Sequence, residues 1–164
     1  MKRITTILLA ATATLFFTAC GGGSSGTSNN SSYSLAGKTV YSIVKEKIND
    51  YDYEQTSTMS FDTHIETVHI TVVETMSGES LTYTNDMVDE ILPLTGQDNH
   101  KYHFEGIVNF SEENVHMEAI VDTTEIAKGY VEGTFILKRD DGINYTSSSV
   151  KYYYDKNEAY ENSN

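Results

Sequence analysis

The sequence predicts an all-β domain, an antiparallel meander of seven to eight strands forming a small barrel or a sandwich. Three observations carry that prediction. The chain has 12 tyrosines, one proline and no tryptophan, and with its many threonines and valines it suits pleated, half-buried surfaces better than helices. Apolar and polar residues alternate with period two over several segments, as strands with one buried face require. Turn residues bound those segments at short intervals, which favours hairpins over a long crossover helix.

Thr39–Lys47 opens the sheet. Tyr53–Phe61 and Ile65–Thr75 follow, and a three-residue loop between them sets Phe61 opposite Ile65, Met59 opposite Thr67 and Tyr53 opposite Val73. Met76-Ser77-Gly78 is the next turn, with Gly78 at the position that needs a left-handed residue. It sets Val73 against Leu81 and Thr71 against Tyr83. Met87, Val88, Ile91 and Leu92 then break the alternation with helical spacing. Asn85 or Asp86 can cap that segment and Pro93 can end it. A short helix near 86–92 is expected, with an irregular extended stretch as the alternative, and a mobile loop over Thr95–His100 after it.

The clearest hairpin joins Lys101–Phe110 to Val115–Asp122 through Ser111–Asn114. It pairs Phe110 with Val115, Val108 with Met117, Gly106 with Ala119 and Phe104 with Val121, so that one face is wholly apolar. A one-residue slip would scramble the faces, so the pattern itself specifies register. Asp141-Gly142 signals a tight turn between Tyr130–Lys138 and a strand starting near Ile143, and Val150–Tyr154 closes the sheet.

Upstream of this domain the chain changes character. A basic start (Lys2, Arg3) leads into an apolar run from Ile4 to Phe17, then Thr18-Ala19, Cys20 and Gly21-Gly22-Gly23-Ser24-Ser25-Gly26. These are the parts of a secretory signal, and the run is too short and too rich in threonine for a membrane span. Phe17-Thr18-Ala19-Cys20 resembles a lipobox, the mark of bacterial lipoproteins, although leucine is commoner where Phe17 stands. The resemblance implies that residues 1–19 are removed and that Cys20, the only cysteine, carries diacylglycerol and an acylated amine, palmitate among the chains. It also implies the outer membrane, facing the periplasm, because Gly21 occupies the position of an inner-membrane retention aspartate. Two or three acyl chains on one residue hold firmly where one is marginal.

Four segments result: the signal peptide 1–19, the anchor and Gly/Ser/Asn tether 20–34, a β-rich domain 35–154, and a polar tail 155–164 that is expected to fray. Losing residues 1–19 removes two of the 11 basic side chains and none of the 24 acidic ones, which leaves a formal charge of −15. That charge argues against nucleic acid and against lying flat on anionic lipid headgroups. With Cys20 acylated, thiol catalysis and cysteine-ligated metals are excluded. The opening Leu35-Ala36-Gly37-Lys38-Thr39-Val40-Tyr41 resembles that of lipocalin-like barrels, in which a Leu-x-Gly turn leads into the first strand. Thr39 stands where those proteins usually have tryptophan.

Few residues declare chemistry. His64 and His69 are five apart and so face opposite ways on one strand, while His103 and His116 fall at opposite ends of the hairpin's polar face. No zinc spacing appears. Asp50, Asp52 and Glu54, and then Asp86, Asp89 and Glu90, are acidic knots without the pattern of a calcium loop. Neither a Gly-x-Ser-x-Gly elbow nor a His-Glu-x-x-His helix is present. No cofactor is expected. The leading function is a non-catalytic barrel that binds a small apolar ligand or a protein. Phe104, Val108, Phe110, Val115, Met117 and Val121 would line its cavity or fill its core. The alternatives are a structural or assembly lipoprotein that meets an envelope protein through a strand edge, and an envelope hydrolase.

Overall fold

A computed structural model of the chain describes residues 34–79, 82–110, 113–139, 142 and 144–163, without the side chains of Phe110 and Glu113. Nine strands follow in order: β1 (Thr39–Ile48), β2 (Tyr51–Phe61), β3 (Thr67–Ser77), β4 (Thr82–Asp98), β5 (Lys101–Phe110), β6 (Glu113–Asp122), β7 (Tyr130–Lys138), β8 (Asn144–Thr146) and β9 (Val150–Tyr153). All pairings are antiparallel. β1 to β7 run as neighbours, β9 lies between β7 and β1, and the sheet closes on itself as an eight-stranded barrel. The ninth strand, β8, continues along the edge of β7 beyond β9. The barrel is therefore realised and the sandwich is not. Closure leaves fewer free edges for a small acidic domain to protect.

The core explains which end of the barrel is solid. Val40, Met59, Phe61, Val68, Ile70, Leu92, Phe104, Val121, Val131 and Tyr152 are buried together, with Leu35 from the opening turn set against them. Gly37 has φ +66° and donates to the Asp62 carbonyl at 2.8 Å, which fastens that turn to the β2–β3 loop. Two strand glycines make room for large neighbours. A Cβ on Gly133 would lie 2.8 Å from the Tyr152 ring, and one on Gly106 would lie 2.8 Å from Leu92 Cδ2.

Several expectations need correction. No helix forms over 86–92, and the loop expected over Thr95–His100 is ordered strand as far as Asp98. β4 absorbs both segments because its ladder to β3 shifts at Met87, so Val88 pairs with Val72 and Asp86 with Val73. That bulge puts one extra residue in the strand and gives adjacent apolar residues a helical appearance. Pro93 is tolerated because β4 reaches β5 only from Leu94 onward.

The hairpin registers also move. β5 and β6 pair Val108 with Val115 and Phe104 with Ala119, two residues from the expected alignment, around a tighter turn. An even shift keeps every side chain on its face. β2 and β3 move by an odd number, pairing Phe61 with Val68 and Met59 with Ile70. There Asp62 builds a longer loop, its carboxylate accepting from the His64 and Glu66 amides at 3.1 and 2.9 Å and from Thr67 Oγ1 at 3.3 Å. β3 pairs Met76 with Tyr83 instead of Thr71 with Tyr83, and Leu81 lies outside the described residues.

The polar tail does not fray. Lys156–Glu161 is a helix, α1, capped by Asp155, whose carboxylate accepts from the Asn157 and Glu158 amides at 2.7 and 3.4 Å. It lies against the outer face of β1, where Ala159 and Ile43 are buried and Lys45 sits over the Tyr160 ring.

Candidate functional site

Direct cross-strand partners share a face, so the registers of β1 to β4 sort the barrel interior into rungs. Toward the opening turn the rungs are largely apolar: Phe61, Val68 and Leu92, then Val40, Met59 and Ile70 with Glu90 at the β4 position. The next rung is Ser42, Ser57, Val72 and Val88. Above it stand Val44, Gln55, Glu74 and Asn85, and at the mouth Glu46, Tyr53, Met76 and Tyr83. Over β1 to β4 the inner face thus changes along its axis from mainly apolar packing to a more polar half rimmed by tyrosine.

Glu74 is the centre of that polar half. The residue is only 3% exposed, as buried as the core valines. Tyr53 donates its phenol to Glu74 Oε1 at 2.6 Å and also reaches Gln55 Oε1 at 3.2 Å. Glu74 Oε2 is buried with no hydrogen-bond partner. Burial pushes the Glu74 carboxyl above the usual carboxylate range, and the Tyr53 hydrogen bond only partly offsets it. Burial, followed by the Glu74 carboxylate beside it, drives the Tyr53 phenol far above its ordinary value. Tyr152, fully enclosed, is raised by burial as well, and its phenol bonds Ser57 from the rung below. A buried oxygen without a partner, as Glu74 Oε2 is, normally costs stability, about 1–3 kcal/mol.

The charge of the inner face has one sign. Glu46, Glu74 and Glu90 occupy inward positions by register, whereas no lysine, arginine or histidine of the described strands does. Glu90 turns toward β5, and its Oε1 accepts from the Asn109 amide at 3.2 Å. It spans a seam, because β5 beyond Phe104 has no ladder partner on β4 among the described residues. Ile91 and Ile107 flank this seam on the outer face and are 64% and 72% exposed.

Of the residues expected to line a cavity, Phe104, Val108, Val115, Met117 and Val121 all lie buried in the core cluster, with Phe61 and Phe104 rings 5.9 Å apart. The sixth, Phe110, has its side chain outside the described part, and Cys20 lies outside the described residues altogether. The histidines serve the outer surface. His69 bonds Asp89 at 2.5 Å, His103 bonds Glu118 at 3.3 Å, and His116 faces Glu105 at 3.5 Å. The shifted register brings His103 and His116 four positions apart along the hairpin instead of six. Among the described residues no group of three His, Cys, Asp or Glu side chains could hold a metal ion. The acidic knot Asp86, Asp89 and Glu90 is split, since Asp89 pairs with Thr71 on the outer face and Glu90 with Ile70 on the inner one.

Glu74 escaped the reading of the sequence, although its signal was there. Val68, Ile70 and Val72 keep period two, and Glu74 occupies the next inward position. A lone acid on the apolar phase of a strand marks a buried charge.

The fold defines the class, a closed antiparallel up-and-down β-barrel of eight strands with one appended strand. No family model, curated protein or solved structure matches the chain.

Proposed function

We propose that this chain is a lipid-anchored envelope protein whose barrel binds a small ligand without chemical turnover, taken in past the tyrosine rim. The observation that carries the reading is the buried Glu74 Oε2 with no hydrogen-bond partner, at an inward position of the barrel wall. Natural interiors rarely leave such an atom unmatched, and function is a common reason when they do. Open barrel mouths are frequent ligand sites. The lipobox-like segment ending at Cys20 supplies the anchor, and the formal charge holds the domain off anionic headgroups.

Two measurements test the reading. The full chain in detergent, titrated with the neutral probe N-phenyl-1-naphthylamine, is expected to take it up saturably at one site per barrel. A folded chain without uptake overturns the binding function. Cells fed labelled palmitate are expected to label the protein, and Cys20→Ser is expected to abolish the label. An unlabelled wild-type chain retaining residues 1–19 removes the anchor.

A second reading rests on the seam. The side of β5 beyond Phe104, which has no ladder partner on β4 among the described residues, and the exposed Ile91 and Ile107 suit addition of a strand from an envelope protein. Ile107→Asp separates the two readings. It leaves probe uptake unchanged if the interior is the site and weakens partner association if the seam is.

A further inference from the structure

We propose that the Glu74 site selects a small organic cation, a primary ammonium on an apolar or aromatic body. The inference rests on the interior-binding reading above and names the chemistry that would fill it. Three features of the barrel converge on a cation.

The first is the missing counter-charge. Glu74 is shielded from water and has a phenol on one oxygen and nothing on the other. Ionised, it lacks a positive partner on the inner face of the described strands; protonated, its Oε2 hydroxyl lacks an acceptor. Among the described residues, no ion pair joins Glu74 to a basic side chain. An incoming ammonium answers the ionised state, since a buried charge is tolerated when it is paired and hydrogen-bonded.

The second is the donor–acceptor balance. A primary ammonium brings three donors and no acceptor. The Gln55–Glu74–Asn85 rung and the Tyr53 phenol above it offer oxygens on adjoining strands, spaced by roughly the 4.8 Å of neighbouring β-strands. A ligand anion could use the Gln55 and Asn85 amide donors but would meet repulsion from Glu46 and Glu74.

The third is the rim. Tyr53, Met76 and Tyr83 form the rung above, with Tyr51 one step further out opposite Ile48. Tyr51 and Tyr83 are 39% and 49% exposed. Tyrosine faces attract cations and shelter an apolar body at the same time. Acidic residues around that rim raise the local concentration of cations.

The test is calorimetric, on the full chain in detergent at neutral pH, with benzylammonium and its neutral isostere benzyl alcohol as probes. Benzylammonium is expected to bind at least tenfold tighter than benzyl alcohol to the wild-type chain. Glu74→Gln is expected to bind the two alike, because charge-assisted hydrogen bonds are about twice as strong as neutral ones. Equal affinity of the wild-type chain for both probes overturns the cation assignment, as does a preference that survives in Glu74→Gln. Uptake of N-phenyl-1-naphthylamine without detectable benzylammonium binding also overturns it and leaves the interior site standing. A folded chain that takes up none of the three probes overturns both. The comparison within the wild-type chain decides the matter even if the variant fails to fold.

Discussion

Replacing Glu74 with Gln should stabilise the barrel, and it should do so only where the carboxyl is ionised. In the wild-type chain the Oε2 atom is buried without a partner, and an unsatisfied buried group of this kind costs about 1–3 kcal/mol. The amide keeps an oxygen for the Tyr53 phenol, 2.6 Å away, and places an NH₂ beside the Gln55 side chain across the ladder. The sign follows from proton linkage. The folded-state pKa of Glu74 lies above its ordinary 4.5, so the native state holds a proton that the unfolded chain has already released. Wild-type stability therefore falls as pH rises from about 4.5 through the folded-state value. Above that window the variant is expected to gain the full 1–3 kcal/mol, worth about 3–5 °C in Tm per kcal/mol for a domain of this size. Urea denaturation followed by circular dichroism at pH 8 and pH 5 measures it. A variant less stable than wild type at pH 8, or a difference that does not change with pH, would refute the reasoning. A gain in stability paired with loss of binding is the usual mark of a functional polar residue.

Other perturbations test the rest of the architecture. Gly133→Ala drives a methyl to 2.8 Å from the Tyr152 ring and 3.3 Å from Met59 Cε, and overpacking of this kind is expected to cost about 1–3 kcal/mol in urea. Asp155→Ala removes the cap of α1 and should cost about 1 kcal/mol, read as a lower urea midpoint with unchanged slope. Glu118→Gln probes the outer face: burial pushes that carboxyl up, but the Lys138 and His103 bonds outweigh it and hold its pKa below 4.5. Its contribution is therefore present above about pH 4.5 and lost as pH falls through the lowered value. The gap between wild type and variant should close on acidification, and acid titrations that stay parallel would count against the network.

The strands were legible because one face is buried and period two records it. The registers were less so, for reasons that differ along the chain. In β5–β6 the apolar faces match equally well at two alignments an even step apart, and only the turn length distinguishes them. In β2–β3 the loop depends on the Asp62 carboxylate and on Ile65 at φ +59°. A β-branched residue is a poor candidate for the left-handed region, and nothing in its identity announced that it would be there. Met87 and Val88 looked helical because a bulge, like a helix turn, places neighbouring residues on related faces. The candidate site was hidden by its sparsity: one acid, two amides and one phenol on three strands, brought together by two ladders.

Closure of the barrel carries a kinetic consequence. β9 joins β1 at a single partnered position, Tyr41 with Tyr153, and these residues come from opposite ends of the domain. Every other neighbouring pair apart from β7–β9 is sequential, so the meander can assemble locally while both flanks stay bare. Until the last staves arrive, β1 and β7 present open backbone to any passing strand. The small helix α1 packs on both β1 and β9, leaning on Ile43 and Lys45, so it spans the late joint, and a chain cut short before it should close less firmly and aggregate more readily.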